Sequence, residues 1–266
     1  MLSPAKNQFA KPPKSSPSLT ALNRRILQIE MRSAIFIRRL ASGVRLNTAG
    51  ELFVQHIRTQ TAELARVQSQ IADLSGIRRG HVRIASGADT MRYFLPETVA
   101  RYRGEHPAVT FDLVRQSGDA AEQALRTLEA DLALIFEPIK SADFQTMATA
   151  RQQLYCMMSA NHPLAKKPII RLRDCVGQPA ILPRADAGLR QLLNVGLIRR
   201  SVELGTVIES NSQEFLQNYL THEMVISFQI PIAMPSDLIT APAPNSAIVV
   251  RPVDLADVPA GILHMA

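Results

Sequence analysis

The sequence predicts an α/β protein: a mostly parallel, doubly wound sheet in two lobes, preceded by one long helix and a basic head. Three observations carry this reading. From His81 onward, apolar runs of strand length alternate with amphipathic stretches of helical period, the pattern of βαβ units whose sheet is covered on both faces. Before them, apolar residues recur at 3-4 spacing from Phe53 to Leu74. The basic residues are also crowded forward: residues 1–80 hold thirteen Lys/Arg against four acidic side chains, a balance of +9, while the other 186 residues balance at −2.

The length of 266 residues and an apolar share of 46% allow one to two globular domains with a sizeable core. No run approaches eighteen apolar residues, the length a membrane span needs. No apolar segment of signal-peptide type follows the first lysines, so a cytoplasmic protein is expected. Cys156 and Cys175 are too few for a disulfide scaffold and lack metal spacing, so two buried thiols are expected. A basic front on a nearly neutral body is the footprint of a protein that meets a polyanion at one end. A solvated charged helix is the plainer alternative, and the nearly uniform sign of the charges tells against it.

Along the head, Pro12-Pro13 argues against a helix in the first twenty residues. TALNRRILQIE (20–30) reads as a helix that Thr20 can cap, with Leu22, Ile26 and Ile29 on one face and Asn23, Arg24 and Arg25 near its start. Gly43 separates two short apolar stretches, and VRL (44–46) fits a small β-wing. The long helix is predicted over Thr48 to Leu74, with Thr48 and Glu51 as a capping-box pair. Its narrow stripe of Phe53, Ile57, Leu64, Val67 and Ile71 is broken only by Gln60. Such a stripe suits coiled-coil-like pairing, with packing on the chain's own domain as the alternative. Gly76 and Gly80 end the segment.

Nine strands are predicted after it: 81–85, 110–114, 131–136, 153–160, 179–182, 202–209, 224–228, 247–253 and 261–265. Open α/β sheets bind ligands beyond the carboxyl ends of their strands, and three such junctions carry polar turns. These are SGADT (86–90), QSGD (116–119) and SNSQE (210–214), with Asp119/Glu122 and Asn211/Glu214 placed as capping boxes. Capping alone explains any single one; three at one sheet edge would make a carboxylate site of helix N-termini and hydroxyls. There is no phosphate-loop glycine pattern, no nucleophile elbow and no His/Glu metal spacing. No catalytic residue, cofactor or metal is therefore expected, and the protein is read as no enzyme. His162, in NHPLA (161–165), is expected to order a turn.

From TALNRRILQIE onward the sequence resembles the LysR-type transcriptional regulators. FIRRLASGVRLNTAGELF (36–53) is similar to that family's wing and the start of its linker helix, and IRRGHVRIAS (77–86) to its hinge and first effector-domain strand. FLPETVARYRGEHPAV, ALRTLEADLALIF, SANHPLAKKP and ESNSQEFLQNYLTHEMVISF follow in the family's order. The resemblance implies a partial winged helix-turn-helix over 1–47, a linker and dimerisation helix over 48–76, and an effector-binding domain of periplasmic-binding-protein type over 81–266. Its first lobe would take 81–157 and 251–266, and its second 158–250, with hinges near 157 and 251. DNA would meet Thr20, Asn23, Arg24 and Arg25 on the recognition helix and Arg39 and Arg45 on the wing. A small, anionic effector would lie between the lobes against Ser86, Thr90, Gln116, Ser117, Pro183, Ser210, Asn211 and Ser212.

Asp89 complicates that site: unless it turns away or caps a helix, a polar neutral or amine-bearing effector fits as well. Phe136 and Phe228 end strands at the same edge, as apolar wall or as core. Only nineteen residues precede Thr20, where the family places two helices, and the family adds a further helix after the strand at 261–265. A shortened regulator is therefore expected, with residual, salt-sensitive and sequence-tolerant DNA binding. Its partners are DNA, the effector and a second copy of itself, as dimer or tetramer, with no membrane. The rival reading is a ligand-sensing and dimerisation module that no longer reads DNA specifically. A transport solute-binding protein would share the fold but would need an export signal and would not carry the arginine-rich front.

Overall fold

The computed structural model describes residues 36–40, 43–74, 79–116, 118–136, 144–240 and 246–266. They belong to two compact units that divide between Gln60 and Thr61. Among the described residues, the first unit opens with a hairpin: β1 (Ile37–Leu40) pairs antiparallel with β2 (Gly43–Leu46), placing Arg38 opposite Arg45. Helix α1 (Thr48–Leu74) follows, with the limits its 3-4 spacing predicts. Its cap lies one residue earlier than the Thr48/Glu51 box: Asn47 Oδ1 accepts from Gly50 N at 2.9 Å, and Asn47 O accepts from Glu51 N at 2.9 Å. Thr48 is already helical, because asparagine is the stronger cap. Gly50 allows the close approach, since a Cβ there would stand 2.1 Å from Phe36 O. Phe36 stacks on Phe53 with centroids 4.8 Å apart. Leu64, Val67 and Ile71 are 59%, 46% and 59% exposed.

The second unit carries two five-stranded sheets. The first has the order β4-β3-β5-β12-β6, from β3 (Gly80–Ser86), β4 (Val109–Arg115), β5 (Leu132–Phe136), β6 (Ala148–Gln152) and β12 (Gly261–Met265). The second has the order β11-β7-β10-β8-β9, from β7 (Tyr155–Ser159), β8 (Pro179–Pro183), β9 (Gly205–Ser210), β10 (Ile226–Gln229) and β11 (Ile248–Pro252). Both sheets are mixed rather than mostly parallel. In each, three consecutive strands are parallel, with the first of the three in the middle (β3, β8), and the remaining two join antiparallel. Parallel neighbours need a crossover helix. The crossovers are α2 (Ala88–Met91) with α3 (Phe94–Glu105), α4 (Gly118–Arg126), α5 (Gly188–Arg200) and α6 (Gln213–Tyr219). The short helix α7 (Ser236–Thr240) follows β10. Among the antiparallel strands, β7 and β12 are those reached where the chain passes from one sheet to the other.

Those passages fall at 153–154 and 253–260, not at 157 and 251. Strand β7 is wholly in the second sheet because it pairs along its length with both β10 and β11: Met157 faces Ser227 on one side and Val250 on the other. Strand β6, unmarked in the sequence, is an edge whose residues are exposed except Gln152. It therefore lacks the apolar alternation by which strands are read. The larger core gathers Leu154, Cys156, Ile170, Leu182, Leu193 and Phe228 in the second lobe, with Phe136 and Leu263 reaching it from the first. Both cysteines are buried free thiols. His162 orders a turn as expected: its Nδ1 accepts from Leu164 N at 3.2 Å.

Gly261 marks the tightest junction of that core. A Cβ there would lie 2.4 Å from Phe136 Cζ and 2.9 Å from Leu192 Cδ2. Gly261→Val is expected to cost about 1–3 kcal/mol by overpacking, a Tm lower by about 3–10 °C. Thermal unfolding checks it, and an unchanged Tm would show that the junction yields.

Candidate functional site

In each lobe the first strand of the parallel trio lies between the other two, so the crossovers leave on opposite faces and a crevice opens at the carboxyl ends. The two crevices face each other as a cleft of about 270 Å³. Residues from the ends of β3, β4 and β5 form one wall: Gly87, Asp89, Arg115, Gln116, Gly118 and Phe136. Pro183, Arg184, Asp186, Gly188, Ser210, Asn211 and Gln213, after β8 and β9, form the other.

Of the predicted effector residues, Gln116, Pro183, Ser210 and Asn211 line this cleft together. Ser86, Thr90 and Ser212 are not part of the lining. Ser86 and Thr90 are 0% and 1% exposed and share a hydrogen bond between their hydroxyls. Ser86 Oγ also lies 3.2 Å from Leu134 O, and Thr90 Oγ1 3.3 Å from Gly87 O. A β-branched hydroxyl one helical turn after a strand-end serine thus closes the junction from inside. Ser212 caps α6, its Oγ accepting from Phe215 N at 3.1 Å and donating to Glu214 Oε2 at 3.1 Å. The cap is one residue later than the Asn211/Glu214 box, which leaves Asn211 exposed on the wall. Helix α4 likewise begins at Gly118, so Asp119 stands inside its first turn. Ser117 lies outside the described residues. Phe136 is in the wall, and Phe228, 1% exposed, is core.

Sequence reasoning missed the polar run that ties the walls together. Gln213 Nε2 donates to Asp89 Oδ1 at 2.9 Å, Gln229 Nε2 donates to Gln213 Oε1, and Gln229 Oε1 accepts from Ile230 N at 2.9 Å. Asp89 neither turns away nor acts as a cap. It is half-buried in the wall, and burial pushes its carboxyl up to about 6. A second tie joins Arg92 Nη1 to Gln217 Oε1. Only the position of Gln213 inside SNSQE hinted at this, because partners 124 residues apart leave no local signature. The side-chain Oε1 of Gln116 is buried with no hydrogen-bond partner among the described residues. Arg184 and Asp186 are exposed at the mouth.

Of the predicted DNA residues, Thr20, Asn23, Arg24 and Arg25 lie outside the described residues. Arg39 is on β1, and Arg45 is exposed on β2 beside exposed Arg38.

The fold has known counterparts. The family model described as the LysR substrate binding domain matches residues 75–265. The HTH-type transcriptional activator CmpR of Synechocystis is 24% identical over 174 residues, covering 65% of this chain and 57% of that protein. The chain spans little more than half the length of such curated relatives. A full-length OxyR from Pseudomonas aeruginosa shares the fold with a TM-score of 0.66 at 21% identity, covering 93% of this chain and 79% of that one. The regulatory domain of Synechocystis CcmR, solved in complex with 2-PG, shares it with a TM-score of 0.57 at 20% identity, covering 70% and 87%.

Proposed function

The chain belongs to the LysR substrate-binding domain family, and from that premise we propose that it is a cytoplasmic, DNA-binding transcriptional regulator governed by a small acidic effector. The effector lies in the cleft between the lobes, and the protein is not an enzyme. One observation carries this reading: the carboxyl ends of two switch-point sheets converge on one cleft, and Gln116, Pro183, Ser210 and Asn211 line it. The N-termini of α4 and α5 border the same cleft through Gly118 and Gly188, which favours a carboxylate or phosphate there. The likeness to a regulatory domain solved with 2-PG supports a ligand of that kind. Residues 1–47 serve DNA, 48–76 pair two copies, and 81–266 bind the effector. Pairing through the α1 stripe gives a dimer, or a tetramer built from two.

DNA is met at the basic front. Exposed Arg38 and Arg45 face each other on the hairpin, a geometry for phosphates on either side of a groove. Thr20, Asn23, Arg24 and Arg25 face the major groove and its phosphates, and Arg39 joins the backbone contacts, so Arg24, Arg25, Arg38, Arg39 and Arg45 meet phosphate. Five phosphate contacts give a slope near −4.5 of log affinity against log salt, about 500-fold between 50 and 200 mM. A DNA titration at several salt concentrations checks this. Arg38→Ala and Arg45→Ala should each flatten the slope by about 1 and weaken all sequences alike. Binding that is absent at 50 mM salt, or insensitive to salt, would overturn the assignment.

A further inference from the structure

Reading the cleft as the effector site leaves open which acids it admits, and its two walls are chemically unlike. Beside Arg115 and the N-terminus of α4, the first lobe presents two acceptors. Asp89 has one carboxyl oxygen taken by Gln213, whose own amide is held by Gln229, so the carboxyl is fixed in orientation from across the cleft. Its other oxygen has no protein partner among the described residues. Beside it in the wall stands the buried, unpartnered Oε1 of Gln116. A buried acceptor left unpaired is costly, and a ligand donor removes that cost. The second lobe presents the opposite character. Helix α5 runs for 13 residues from Ala187, which has no side chain able to cap it, and its first residue Gly188 lines the cleft. The free N–H groups of its first turn therefore point positive, with Arg184 nearby in the same wall. Arg184 and Asp186 are both exposed and screened by solvent, so the helix terminus is the fixed charge of this wall.

We infer, on the reading of this cleft as the effector site, that the effector is a zwitterion of amino-acid type: Asp89 and Gln116 hold its ammonium group, and Arg184 with the α5 N-terminus holds its carboxylate. A simple anion would satisfy the second wall and leave Asp89 and Gln116 in the first without a donor. A hydroxyl brings a single proton for two acceptors and leaves the half-buried carboxylate uncompensated. An ammonium group brings three donors and the charge that burial of Asp89 lacks, since burial alone holds that carboxyl at about 6.

The test is titration calorimetry of the full chain with the common L-amino acids, and with the 2-hydroxy and deamino acids of each skeleton that binds. An amino acid should bind at least 30-fold more tightly than its hydroxy and deamino counterparts. Asp89→Asn should remove most of that preference while leaving the deamino acid unaffected. Gln116→Met, which keeps length and loses the acceptor, should weaken the amino acid about tenfold, and circular dichroism should show both variants folded. Asn211→Trp, which fills the cleft, separates the two layers of the argument. If hydroxy or deamino acids bind as tightly as any amino acid and Asn211→Trp abolishes them, the cleft stands and the zwitterion is overturned. If an amino acid binds but ignores all three substitutions, the site itself is misplaced. No binding by any amino acid also overturns the proposal.

Discussion

On the proposed pairing of two copies through α1, replacing Leu64 and Ile71 together with Glu will leave monomers with both sheets folded. The two side chains are each 59% exposed and belong, with Phe53, Ile57 and Val67, to a stripe spaced 4-3-4-3-4 along α1 once Gln60 is counted. That spacing is the seam of a left-handed helix pair, and Gln60 interrupts it at one position, a device that fixes register at some loss of stability. Burying a Leu or Ile is worth about 2 kcal/mol. Two substitutions on two symmetric helices remove four such sites, about 8 kcal/mol, or more than 10⁵-fold in Kd. Glutamate is a good helix former, and neither residue belongs to a buried core cluster, so the rest of the chain has no reason to unfold. Sedimentation before and after, with circular dichroism as control, decides it. An unchanged mass would move the assembly surface off this helix.

Asp89→Asn will raise the stability of the unliganded protein at pH 7.5 and leave it unchanged near pH 4. Burial lifts this carboxyl from 3.8 to about 6, so between those values the folded state binds more protons than the unfolded state. Stability therefore falls as pH rises through that window and stays lower above it. Two pK units at 1.36 kcal/mol each, reduced for solvent at a half-buried group, leave about 1–2 kcal/mol, or about 3–6 °C in Tm. Asparagine still accepts from Gln213 and carries no charge to bury. Other carboxylates titrate alike in both proteins and cancel in the difference. An equal Tm difference at pH 4 and 7.5 would show that the effect is packing rather than charge.

The two variants probe different levels of information. The α1 stripe is legible because helix periodicity is local: a 3-4 recurrence sustained from Phe53 to Leu74 has one regular solution. Strands β3, β5 and β8 are legible for the same reason, as short apolar runs between turn residues. Strand β6 was invisible because an exposed edge of small and polar residues carries no apolar alternation. Caps were read to within one residue, at Asn47 and Ser212, because neighbouring polar residues compete for the same N–H groups and only backbone geometry chooses among them. The residues expected to meet an effector divide along the same line. Gln116, Pro183, Ser210 and Asn211 follow from the rule that crevices open at strand ends. Ser86 and Thr90, at the same ends, turn inward and bond each other.

By itself, then, the sequence determined the basic front, the hairpin and long helix behind it, the α/β alternation, and which turns face the carboxyl edge, all of them properties of residues within a few positions of one another. Tertiary structure alone decided where the chain changes sheets, because β7 could choose its partners only once β10 and β11 were in place. It alone set Asp89 against Gln213, 124 residues away, and with that the charge of the cleft. Long-range pairing is chosen by the sum of packing over the whole fold, and no stretch of sequence holds that sum.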